Sequence, residues 1–130
     1  RSTITSESRL EKGVEKQVEI FGEAMRNSYQ EGPEDIRHIN KWLANTFGDY
    51  YTRKGLSVAH REMITFCFLA AQGGCEAQLK AHVEGNLNVG NSKQYLINIA
   101  SQCVPYIGYP RTLNALRCIQ EGYTAWEAKQ

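Results

Sequence analysis

Residues 57–90 read SVAHREMITFCFLAAQGGCEAQLKAHVEGNLNVG, two helix-length blocks parted by a glycine pair. Ser57 carries a hydroxyl suited to accept a backbone N–H at a helix start. The strongly apolar stretch 63–71 then stops at Gly73-Gly74, where residues without a Cβ let a chain leave a helix. A further helix is expected from near Cys75 to the Asn88-Val89-Gly90 turn. The first block is apolar nearly all round, so it needs cover on most of its sides. A domain of this size has few elements with which to supply that cover, and self-association is expected.

Toward the N-terminus, Leu10, Val14, Val18, Phe21 and Met25 recur at steps of four and three, one face of an amphipathic helix. Gln30-Glu31-Gly32-Pro33 supplies a turn, with Pro33 opening a second helix and Glu34 and Asp35 in its first turn. Ile36, Ile39, Leu43, Phe47 and Tyr50 continue that helix, and Gly48 and Gly55 mark its end. Toward the C-terminus, Asn91-Ser92 caps a fifth helix bearing Tyr95, Leu96, Ile99, Ala100 and Cys103, which Pro105 and Gly108 close. Pro110 opens a last helix with Leu113, Leu116 and Ile119, ended by Gly122. No β-alternating run or internal repeat competes, so the expected fold is all-α, about six helices in one domain spanning residues 1–130.

The bulk numbers narrow the function. Hydrophobic residues at 42% and charged residues at 22% describe a folded globular chain. Fifteen basic against fourteen acidic residues leave no summed field to draw a nucleic-acid backbone or an anionic membrane, so neither partner is expected. The longest apolar run, 66–71, is far short of the roughly 20 residues that cross a bilayer. The polar segment 1–12 has no secretory core, and a cytoplasmic location is expected. Cys67, Cys75, Cys103 and Cys118 are widely spaced, with no CxxC pair and no neighbouring pair of histidines, so they read as reduced thiols without a metal. Gly73-Gly74 is not followed by a Walker lysine and no GxGxxG follows a strand; no cofactor is expected.

Chemistry concentrates on the block 75–82. At about 100° per residue, Cys75, Gln78, His82 and Asn86 fall within roughly 80° of one another. Glu76, Lys80 and Glu84 take the opposite side at steps of four, the pattern of a solvated face, which turns the Cys75/His82 face inward beside Leu79 and Val83. Cys75 stands in a first helical turn, where backbone N–H groups favour a thiolate. A helix with one inert buried Cys and one core His satisfied by a carbonyl fits the same spacing. Glu62 shares its helix face with Val58, Phe66 and Leu69, and a carboxyl in apolar company suits general acid or base work, or else serves the helix dipole from the first turn. Arg53, Lys54, Arg61 and Arg111 are groups that can recognise a carboxylate, Arg by a bidentate fork and Lys as a point charge. His38 and His60 fall on polar sides of their helices and are assigned no chemistry.

Within residues 55–122, Leu56-Ser57, Arg61-Glu62, Cys75-Glu76, Ala81-His82-Val83, Asn88-Val89-Gly90, Tyr106-Ile107-Gly108-Tyr109-Pro110-Arg111 and Asn114-Ala115-Leu116 follow in a specific order. By these motifs the segment, about half the chain, resembles the carboxymuconolactone decarboxylase family. The resemblance implies an all-helical, alkylhydroperoxidase D-like fold assembling into trimers or hexamers. It also implies one of two chemistries, cofactor-free decarboxylation of 4-carboxymuconolactone or thiol-based peroxide reduction. The peroxidase branch is marked by CxxC with a His four residues on; here those positions are Cys75, Gln78 and His82, and the second thiol is missing. The resemblance therefore implies His82 as the proton-handling residue and Glu62 as its partner, with Cys75 a pocket residue or modulator. Gln78, Asn86, Arg61 and Arg111 are the expected contacts to a small carboxylate or lactone. A single-cysteine peroxidase or thiol sensor using Cys75, and a non-catalytic module binding a small ligand, are the alternatives.

Overall fold

The helical periods become six α-helices and two short 3-10 turns, with no strand, in a computed structural model that describes residues 1–130. The helices are α1 (Arg9–Phe21), α2 (Arg37–Tyr51), α3 (Val58–Gln72), α4 (Glu76–Asn88), α5 (Lys93–Ile107) and α6 (Tyr109–Glu127). The chain divides into two compact units, Arg1–Val58 and Ala59–Gln130. None of the helices is long and apolar enough to cross a membrane.

In the first unit α1 packs on α2 at a crossing made by glycines. A Cβ on Gly13 would stand 1.8 Å from the Ala44 carbonyl oxygen, and one on Gly48 would stand 2.0 Å from that of Arg9. Backbones this close leave no room for any side chain. Gly48, expected to end the second helix, therefore lies inside it as a contact point, and α2 runs on to Tyr51. Beside the crossing, Phe47 meets Phe21 edge-on at 6.0 Å and stacks on Tyr51 at 4.5 Å between ring centroids. The first helix is shorter than its apolar period suggests. It stops at Gly22, whose φ of 100° breaks the helical path, and Met25 closes a separate 3-10 turn. The second helix starts at Arg37 rather than Pro33, which forms a turn closed by Ile36 N–H donating to its carbonyl.

In the second unit α3 to α6 share one apolar core. Phe66 from α3, Val83 from α4, Leu96 from α5 and Ile119 from α6 are all fully buried in it. The α3–α4 break falls at Gly73-Gly74 as expected, both with left-handed φ. Ser92 caps α5 by accepting from Tyr95 N–H at 3.0 Å. Two expected stops are overridden by packing. Pro105 lies within the last turn of α5, where the bond its missing N–H forfeits is close to the helix end anyway. Gly122 lies within α6 because a Cβ there would stand 2.7 Å from Val83 Cγ1, so it is the point where α4 and α6 close up.

Candidate active site

Glu62 is the fifth residue of α3 and is fully buried, an unusual position for a carboxyl group. Its Oε1 lies 2.5 Å from Nδ1 of His82, seven residues into α4. His82 keeps 15% of its side chain accessible, whereas Glu62 keeps none. A carboxylate engaging Nδ1 fixes which tautomer the imidazole adopts and how its ring is turned. It also stabilises the ring when it carries a second proton. The imidazole is thus the accessible member of the pair, and the carboxyl lies behind it in the interior.

The rest of the expected face divides. On α4 the buried residues are Leu79, Val83, Gly85, Asn86 and Leu87, so the inward direction is centred beyond the Cys75-to-His82 line. Cys75 and His82 sit half-buried at its edge, and Gln78 is exposed. Glu76, Lys80 and Glu84 are not fully solvated as expected but half-buried, and Glu84 accepts from Lys129 at 2.7 Å. Cys75 is the residue just before α4, and its Sγ donates to the Leu69 carbonyl at 3.4 Å. In that role the sulfur is an S–H donor anchored to the end of α3.

Arg61 is half-buried next to Glu62 in sequence, and Arg111 is exposed on α6. The Arg111 side chain lies across the turn between α3 and α4, with Nε 3.1 Å from where a Gly73 Cβ would stand. That puts a guanidinium over the loop that leads into Cys75. Arg53 and Lys54 belong to the first unit, where both are exposed. His38 and His60 are exposed as expected.

Asn86 is bonded to main-chain groups of both helices. It is fully buried, donating to the carbonyl oxygens of Glu62 at 3.1 Å and His82 at 2.7 Å. Its own Oδ1 accepts from Asn91 at 2.8 Å, and Asn91 also donates to the Ala59 carbonyl at 2.9 Å. Asn91 reads in sequence only as part of a helix cap. The sole trace of its further role is a second Asn placed five residues after Asn86, across the Gly90 turn.

Two other thiols are poor nucleophiles by their surroundings. Burial, with Cys103 adjacent, pushes the Cys67 thiol up to about 12. Burial is also the main cause that raises Cys118, with Glu121 and Glu76 adding to it. Raised values mean little thiolate near neutral pH.

Residues 38–121 match the carboxymuconolactone decarboxylase family. A 4-carboxymuconolactone decarboxylase from Acinetobacter baylyi (strain ATCC 33305 / BD413 / ADP1) is 28% identical over 120 residues, covering 91% of this chain and 89% of that protein.

Proposed function

We propose, from the premise that the chain belongs to the carboxymuconolactone decarboxylase family, that it is a cofactor-independent carboxy-lyase acting on a small lactone carboxylate. The observation that carries this reading is the contact between buried Glu62 and half-buried His82. In the proposed reaction the C–C bond to the substrate carboxylate breaks and CO₂ leaves. The electron pair left behind is delocalised onto the lactone carbonyl, and a proton from His82 then completes a C–H bond. Glu62 stabilises the protonated ring before transfer and holds its orientation throughout. His82 regains its proton from water, so the net change is a carboxylate and a proton giving CO₂ and the shortened lactone. Arg111, lying over the turn before Cys75, is the proposed anchor for the substrate carboxylate, with Arg61 as a second cation nearby in sequence to Glu62.

The relative with which the chain is aligned over nine-tenths of its length is named for 4-carboxymuconolactone, which makes that compound the first substrate to test. The assay is loss of the substrate's ultraviolet absorbance by purified protein. His82→Gln and Glu62→Gln, each confirmed folded by circular dichroism, are expected to lower kcat by about 10²-fold to 10⁴-fold. No turnover by the wild type, or unchanged turnover in both variants, overturns the proposal.

Assembly into a trimer or hexamer belongs to the same proposal. Within the second unit Phe68 is 71% exposed and Tyr106 82% exposed, large apolar side chains left uncovered by a single chain. Sedimentation at micromolar concentration is expected to give a mass that is a multiple of three chains; a monomer rejects that part of the reading.

A further inference from the structure

The Asn86 side chain joins the two residues assigned to the chemistry through their main chains. Its amide nitrogen has two hydrogens, and the structure shows one partner for each, the carbonyl of Glu62 on α3 and the carbonyl of His82 on α4. Backbone carbonyls have two lone pairs, so each accepts this donation in addition to a helical N–H, and neither helix is interrupted. The remaining polar atom, Oδ1, is taken by Asn91 Nδ2, which reaches back to the Ala59 carbonyl in the first turn of α3. Asn91 N–H in turn donates to the Asn86 carbonyl at 2.9 Å. Each polar atom of the Asn86 side chain therefore has a protein partner, and none faces solvent.

We infer that Asn86 is a positioning residue that sets the register of α3 against α4 at Glu62 and His82, with Asn91 as its anchor. The inference rests on the reading of that pair as the proton-handling site. Its physical basis is that Glu62 and His82 meet through a side-chain contact, which a slip of either backbone would open. Asn86 acts on the main chain of both residues, so it resists that slip at its source.

The test compares Asn86→Leu and Asn91→Ala with Asn88→Ala, which removes the bond from Trp126 Nε1 to Asn88 two residues further along α4. The first readout is the ring ¹⁵N and N–H spectrum of His82 in ¹⁵N-histidine-labelled protein, assigned by its loss in His82→Gln. This readout requires no substrate. In the wild type a hydrogen-bonded Nδ1 proton is expected; in Asn86→Leu it should exchange as fast as that of exposed His38. Asn91→Ala should fall between, and Asn88→Ala should match the wild type. The second readout is turnover of 4-carboxymuconolactone, where Asn86→Leu should lower kcat about 10-fold to 100-fold with KM changed less than about twofold.

An unchanged His82 signal in folded Asn86→Leu overturns the inference, as does an equal loss in Asn88→Ala. If Asn86→Leu does not fold, Asn91→Ala decides by the same signal. A wild type that shows the bonded proton but no turnover removes the decarboxylase reading and leaves the positioning role to the spectra.

Discussion

The two units bury polar side chains in opposite ways. In Arg1–Val58, Gln17 is 1% exposed, and neither its Oε1 nor its Nε2 has a hydrogen-bond partner. In Ala59–Gln130, Glu62 and Asn86 are equally buried, yet both are tied into a network that runs across two helices and the following turn. An unsatisfied buried amide is a cost of about 1–3 kcal/mol, whereas a satisfied network holds its members in one geometry. Burial of a polar residue therefore does not by itself mark a site. The proposed site adds a second feature, a buried group in contact with one that remains accessible, as Glu62 is with His82.

The largest effect is expected at Glu62. Glu62→Leu removes the buried carboxyl and is expected to abolish turnover, while Gln17→Leu should leave the rate within about twofold; rate measurements on both proteins check this pairing. If both changes silence the protein equally, the distinction between the units fails.

Next in size are the close approaches. Gly48→Ala forces a methyl group against the Arg9 carbonyl and should destabilise the chain by about 3 kcal/mol or more in urea unfolding. Gly122→Ala meets Cγ1 and Cβ of fully buried Val83 at 2.7 and 2.8 Å rather than a main-chain oxygen at 2.0 Å, and a smaller loss of about 1–3 kcal/mol is expected. The ordering tests whether backbone contact in the first unit is less forgiving than side-chain contact in the second.

A smaller effect has the opposite sign. Gln17→Leu should raise stability by about 1–2 kcal/mol, because it removes two unpaired polar atoms and keeps most of the volume. A loss of stability would show that the Gln17 amide has a use in the folded chain. The smallest expected effect is chemical. At pH 8 Cys67, pushed up to about 12, should react with iodoacetamide more slowly than a free thiol, and its rate should climb as pH rises toward that value. Labelling followed by peptide mass analysis measures this directly; a rate equal to that of free cysteine would contradict it.

Much of the architecture was legible from residue spacing. The helical periods around Phe66, Val83 and Leu96 predict the elements that bury them, and Gly73-Gly74 ends α3 as expected. Gly48 and Gly122 carry the same local signal as that pair but continue their helices, because the space a Cβ would fill is taken by another helix. A glycine that ends a helix and a glycine that lets two helices touch are identical in one dimension. Similarly, the spacing of Cys75, Gln78, His82 and Asn86 gives a common face but not its depth. Gln78 proves exposed, Asn86 fully buried, and the Cys75 thiol is turned to the Leu69 carbonyl.

Residue order alone is enough for an all-helical chain, a family resemblance through His82 and its surrounding motifs, and Glu62 as a carboxyl on an apolar helix face. These follow from periodicity and residue type, which are local properties. It takes the packed helices to bring Glu62 Oε1 to His82 Nδ1, and to let Asn86 and Asn91 tie the main chains which carry them. Those contacts join residues on separate helices, and the register between helices is set by packing of the whole unit, which no local pattern encodes.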